Sequence, residues 1–256
     1  MYDEAQLVLF LSILMRITGF VSFNPIFGRK GVPNLVKAGF IFVLTLSVYF
    51  YSPSAATAVP LTALEFGVKM VLEFGIGYAI SFIIQCFFYV LMQAGSQIDN
   101  QMGLSMSENY DPSMGTNTTM TSTFFNIMFM LLFFSANGHI TLLKILVSSG
   151  QIVPFGSVII TEQVATYALD TFVLCTILSL KLAMPILAAS LIGQLGMGIL
   201  MKVIPQINVF AINLELKIIL GLFLIMLLIT PMGEFMLLIE KQMLIAIQDV
   251  IKVIAA

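Results

Sequence analysis

The sequence predicts an all-α, membrane-associated bundle of kinked helices and helical hairpins. Three observations lead there. Hydrophobic residues make up 59% of the 256-residue chain and charged ones 9%, with a mean hydropathy of +1.05, so polar groups are too few to coat a soluble globule. Apolar runs of helical length recur along the chain. Pro185 and an Asn-Gly pair at 137–138 fall inside two of these runs, where a helix would bend. The net charge of -2 comes from scattered residues with no basic cluster to neutralise phosphates, which argues against a nucleic-acid partner.

The first apolar run covers about residues 5–23 and is interrupted by Arg16. Its acidic start, Met1-Tyr2-Asp3-Glu4, lacks the basic region of a secretory signal, so a retained first segment is expected. Arg16 either snorkels to head groups or pairs across a helix contact; the alternative is an ion pair with another subunit. Arg29, Lys30 and Lys37 surround the next turn, whereas Pro53 to Ala63 carries no charge. The positive-inside bias therefore makes the first turn cytoplasmic and the N-terminus external.

A short second run spans about 36–51 and a third about 74–92. Glu65, Lys69 and Glu73 form one stripe just before the third, at i, i+4 and i+8. Because the third run already spans a bilayer unaided, this stripe is expected to extend beyond it as solvated or subunit-facing salt bridges, with a proton relay as the alternative. The fourth run, about 124–147, is broken by Asn137-Gly138-His139, and the fifth, about 167–192, carries Lys181 one turn before Pro185. Broken helices at membrane depth need protein or a water-filled cavity to receive the freed backbone groups, which points to a pore or transporter component.

A sixth run covers about 209–230, and a separate amphipathic stretch closes the chain, with Glu234, Lys241, Gln248 and Lys252 set among Phe235, Leu238, Ile239, Ile245, Ile247 and Ile251. Lys202, Glu215 and Lys217 flank Pro205 and Asn208 in a turn suited to a cytoplasmic rim. Cys86 and Cys175 lie within apolar stretches and read as small buried hydrophobes.

No enzyme is expected. His139 stands alone beside Asn-Gly, without metal-ligand spacing, and reads as a turn or core residue. Gly193, Gly196 and Gly198 lack the strand and the Lys-Ser/Thr of a phosphate loop; Ala189 and Gly193 instead suggest a face on which helices approach closely. Neither a cofactor nor a metal site emerges.

The functional signal concentrates in residues 102–123, MGLSMSENYDPSMGTNTTMTST, which is long, nearly uncharged, and sets Met102, Met106, Met114 and Met120 among small polar residues. Thioethers adapt to objects of varying shape, and apolar constrictions gate by dewetting. Such a segment suits an occluding element; the alternative is an ordinary connector.

Three ordered motifs carry a resemblance. Arg16 followed by Asn24-Pro25-Ile26-Phe27, Pro33 and Lys37 comes first. Gln97-Ile98-Asp99-Asn100-Gln101-Met102-Gly103-Leu104-Ser105 then leads to Asp111-Pro112 and on to Phe133-Phe134-Ser135-Ala136-Asn137-Gly138-His139. The third is Pro205-Gln206-Ile207-Asn208-Val209-Phe210. Together they resemble the FliR family of flagellar biosynthetic proteins and its injectisome counterparts, the R/T-type export-gate subunits, over nearly the whole chain.

The resemblance implies a non-enzymatic subunit of a type III secretion export gate in the bacterial inner membrane, at the flagellar basal body, through which unfolded substrates leave. It implies P-type and Q-type partners (FliP and FliQ) together with FlhB and FlhA. It implies a P-like unit, residues 1–165, fused to a Q-like unit, residues 166–256, that closes a helical subunit spiral. The plug filling the pore would comprise Met106, Ser107, Glu108, Asn109, Tyr110, Asp111, Pro112, Met114 and Gly115, flanked by Gln101, Met102 and Gly103. Inter-subunit or buried charge is expected at Arg16, Glu65, Lys69, Glu73 and Lys181, and a cytoplasmic turn at Lys202, Pro205 and Asn208. The Gln101-to-Ser105 run favours the flagellum over the injectisome. A small-solute secondary transporter is the alternative, although no hydropathy repeat divides the chain in two.

Overall fold

The computed structural model describes residues 4–51, 62–104, 109–111, 116–156, 162–203 and 209–255. Among these, seven helices follow one another: α1 (Glu4–Phe23), α2 (Asn34–Tyr51), α3 (Ala63–Met102), α4 (Met120–Ser135), α5 (Gly138–Ile152), α6 (Glu162–Val203) and α7 (Val209–Ala255). Between α3 and α4, β1 (Asn109–Asp111) and β2 (Thr116–Thr118) pair antiparallel, with Tyr110 opposite Asn117. The fold is the expected all-α membrane bundle, with one short hairpin inside the polar loop.

Local chemistry explains the boundaries. The α1–α2 turn is an Asx turn: Asn24 Oδ1 accepts from the backbone N–H of Ile26 at 2.8 Å and of Phe27 at 3.3 Å, and Lys37 Nζ donates to the Gly28 carbonyl at 3.0 Å. Thr62 caps α3 by accepting from the Glu65 N–H, with Glu65 at the third helical position. Gly103 ends the helix in the left-handed region, at φ 80°. Asn137 also takes the left-handed region, at φ 59°, which this residue type tolerates, and there α5 departs from α4 at 70°.

The core runs along the α1–α3 contact and continues between α3, α6 and α7. Backbones cross closely at two reciprocal glycines. A Cβ on Gly77 would strike the Arg16 carbonyl, and one on Gly19 would strike the Phe74 carbonyl. Ser81 Oγ donates to the Phe20 carbonyl at the same crossing. Further along, Gly193 faces Leu220, as the small-residue face of α6 predicts.

Several expectations are corrected. The sixth apolar run and the amphipathic tail form a single helix, α7, with Pro231 inside it. The helix of the third run begins with the charged stripe and reaches Met102. Met102 is the buried last residue of α3, and a Cβ on Gly221 of α7 would run into its side chain. Met120 is the first residue of α4, so the connector between helices is 103–119. Buried apolar side chains carry the tail of α7 and the end of α3 past the most hydrophobic window, because packing rather than hydropathy sets where a helix stops.

Among the described residues, five helices are long and apolar enough to cross a membrane, or six if the bent α4–α5 pair forms one span. The 42 residues of α6 and 47 of α7 reach about 63 Å and 70 Å, roughly twice a bilayer core.

The two glycine types give a matched prediction on one helix. Gly77→Ala should sharply lower the thermal unfolding temperature of the detergent-solubilised protein, because the obstacle is backbone. Gly67→Ala, where nothing lies within 4 Å of an added Cβ, should leave it unchanged or raise it slightly.

Candidate functional site

Four buried charged residues, Arg16, Glu73, Asp99 and Glu240, converge on the bent α4–α5 pair. Arg16 of α1 is 1% exposed and Glu73 of α3 is fully buried; Arg16 Nε donates to Glu73 Oε2 at 2.7 Å. Arg16 Nη1 donates to the Val153 carbonyl at 3.1 Å and to Ser149 Oγ at 3.5 Å, which places a cation at the C-terminal end of α5. Glu73 Oε1 accepts the Gly156 N–H at 2.7 Å, and the guanidinium lies 4.2 Å from the centre of the Phe155 ring. Arg16 Nη2 is buried with no partner among the described residues. Gly156, at φ 81°, makes the turn that presents its N–H to Glu73.

The N-terminal ends of both halves meet carboxylates. Asp99 of α3 is fully buried; its Oδ2 accepts the Thr121 N–H at 2.8 Å and its Oδ1 accepts the Thr121 hydroxyl in a short hydrogen bond. Glu240 of α7, 4% exposed, lies at the start of α5, where a Cβ on Gly138 would come 2.5 Å from its Oε1. Acids at the two N-terminal ends and a base at the C-terminal end match the helix dipoles.

The described part of the loop sits beside this frame. Ser122 Oγ donates to the Met92 carbonyl at 2.7 Å, and Thr118 shares a hydroxyl hydrogen bond with Thr123 at 3.0 Å. The hairpin borders an open cleft of about 870 Å³, lined by Arg29, Tyr110, Asp111, Met120, Phe124 and Phe134 among others. Thr118, on β2, also lines it.

The sequence-derived sites therefore fall into separate places. Arg16 and Glu73 come together, paired within the chain. Glu65 and Lys69 form a part-exposed pair at 2.9 Å, so the stripe is solvated only in its first turns and Glu73 turns inward. Lys181 is exposed on α6 and forms no ion pair among the described residues; Lys202 is exposed in its last turn. Gln101 is half-buried, Met102 buried and Gly103 exposed. Tyr110 is exposed and Asp111 half-buried, while Asn109 lies in β1. Met106, Ser107, Glu108, Pro112, Met114, Gly115, Pro205 and Asn208 lie outside the described residues. Cys86 and Cys175 are buried free thiols. No cluster of potential metal ligands occurs among the described residues.

Sequence reasoning missed Asp99 and Glu240. Asp99 meets its partner 22 residues away, across a loop of no regular period, and Glu240 meets α5 about a hundred residues back in the chain, so neither pairing leaves a local pattern.

Comparison with known proteins fits this architecture. The profile of Bacterial export proteins, family 1, matches residues 7–243. The chain belongs to that family. Flagellar biosynthetic protein FliR of Escherichia coli K12 is 30% identical over 86% of this chain and 85% of its own length. FliR of Pectobacterium carotovorum is 29% identical with the same coverage. Surface presentation of antigens protein SpaR of Shigella sonnei is 29% identical over 60% of this chain and 59% of its own. The chain is thus a membrane-embedded export protein, a component of an export apparatus.

The Arg16–Glu73 geometry predicts strong non-additivity. Arg16→Met alone leaves a buried carboxylate uncompensated and should cost about 3–5 kcal/mol, whereas Arg16→Met with Glu73→Met should recover most of that loss. Denaturant titration of the four proteins in one detergent measures it.

Proposed function

We propose that this export protein is a structural and gating subunit of a flagellar type III protein export gate in the bacterial inner membrane. It is non-enzymatic. Residues 1–165 act as the P-like unit and 166–256 as the Q-like unit, and the chain closes a spiral formed with FliP and FliQ, adjoining FlhB and FlhA. Residues 106–119 plug the pore through which unfolded substrates pass.

The observation that carries this reading is the family match over residues 7–243 on a chain whose one long polar connector returns to the helix it left. Three features support it. The connector sets Met106 and Met114 among Ser, Thr, Asn and Gly and carries no basic residue. Its described strands lie along a cleft with an apolar wall. Large apolar side chains remain exposed along α2, α6 and α7, among them Leu35, Phe50, Leu195 and Met226, as a subunit of a larger assembly requires. Lys181 and Lys202 are the exposed charges we assign to subunit and cytoplasmic contacts. The flagellum is favoured over the injectisome because the match to FliR extends over 86% of the chain and that to SpaR over 60%.

The test is dye leakage from vesicles carrying the assembled complex, with residues 106–119 intact or replaced by a short Gly-Ser link. The trimmed complex should leak while its partners stay assembled. A tight trimmed complex would reduce the loop to a connector, and saturable uptake of a small solute by the purified chain alone would favour a transporter.

A further inference from the structure

Asp99 is a fully buried carboxylate with no basic side chain paired to it among the described residues. Such a group in an apolar helix is costly unless donors and a favourable field offset it. Both are supplied by one place: the Thr121 N–H and hydroxyl, at the positive end of α4. Thr119, the residue at the cap position of α4, makes no side-chain capping bond, so the cap comes from α3.

The placement has a topological consequence. α3 ends at Gly103, one helical turn beyond Asp99, and the chain returns at Thr121 to that same turn. From Thr121 the attachment spreads into the hairpin. Thr119 and Ser122 hydroxyls are 2.9 Å apart, Ser122 holds the Met92 carbonyl, and Thr123 links to Thr118 of β2. Gly95, one turn before Asp99, has no room for a Cβ against the Ser122 backbone, so α4 is seated in direct backbone contact with α3.

We propose that Asp99 is a positioning residue for the export gate: its carboxylate ties the returning arm of the loop, through Thr121 and the Thr118–Thr123 hydroxyls, to the end of α3 and so holds β2 at the cleft. This rests on the reading of the loop as the plug. Asn at this position keeps the shape and can keep both contacts, its Oδ1 accepting the Thr121 N–H and its NH2 donating to the Thr121 hydroxyl oxygen, but the bonds are no longer charge-assisted and the charge facing the helix end disappears.

The experiment uses the complex of this chain with its partner subunits, measuring amide hydrogen exchange by mass spectrometry and dye leakage from vesicles in parallel. Asp99→Asn should speed exchange across 116–123 at least about tenfold, leave the α1–α3 crossing unchanged, and raise leakage. Thr121→Val, which removes only the hydroxyl donor, should shift both readouts in the same direction by less, and Thr121→Ser should restore both. These variants carry the test if Asp99→Asn does not assemble. Unchanged exchange at 116–123 would overturn the assignment. Faster exchange without leakage, in a complex that leaks when the loop is trimmed, would overturn the positioning role and leave the plug standing. A complex tight in both forms would overturn the plug and the positioning role together.

Discussion

The structure depends on one buried ion pair at one close crossing. Arg16 and Glu73 meet where Gly19 and Gly77 let the backbones of α1 and α3 touch, and the pair then reaches outward to Ser149, Val153 and Gly156 at the far end of α5. Both charges would be prohibitive alone in an apolar interior; each is offset only because the other and the end of α5 are in place. The first helix, the third helix and the bent pair therefore fold as one unit. Asp99 and Glu240 complete the arrangement from the other side, so a connection broken at Asn137 is held at three of its ends by charges of the sign its dipoles favour.

Length is the second constraint. α3, α6 and α7 have 40, 42 and 47 residues, and no bilayer covers helices of about 60–70 Å. Their outer faces nevertheless stay apolar: Val173, Leu191, Ile192, Leu195 and Ile199 on α6 and Ile219, Phe223, Met226 and Leu227 on α7 are exposed. A chain with such faces is a part of something larger, in keeping with its family of export proteins. The α2 helix, with only Thr45 and Val48 buried, belongs to the same class of surface.

Much of this was legible in the residues. The apolar runs gave the helices, Asn137-Gly138 gave the bend, and the loop at 102–123 stood out by composition. Helix ends were less legible: α7 absorbs two predicted elements, because its charged residues at 234, 240 and 241 interrupt the hydropathy without interrupting the helix. The stripe at 65, 69 and 73 has one periodicity but two fates, solvated at its start and buried at its end, and only the position of Arg16 on another helix decides where the change falls. Asp99 and Glu240 were invisible for the same reason: their partners are tertiary. Pairing across the chain is what a periodicity cannot encode.

Buried charge holds α4 and α5 at a fixed bend. The most direct measurement is the electron-spin distance between labels at Met120 and Ile152, both exposed, with Cys86 and Cys175 replaced by alanine. A bend of 70° places those ends about 38 Å apart, against about 48 Å for a straight helix of the same length. The distribution should be narrow near the shorter value and broaden in Arg16→Met. A distance near the longer value, or a narrow short distance that survives Arg16→Met unchanged, would contradict a bend held by buried charge.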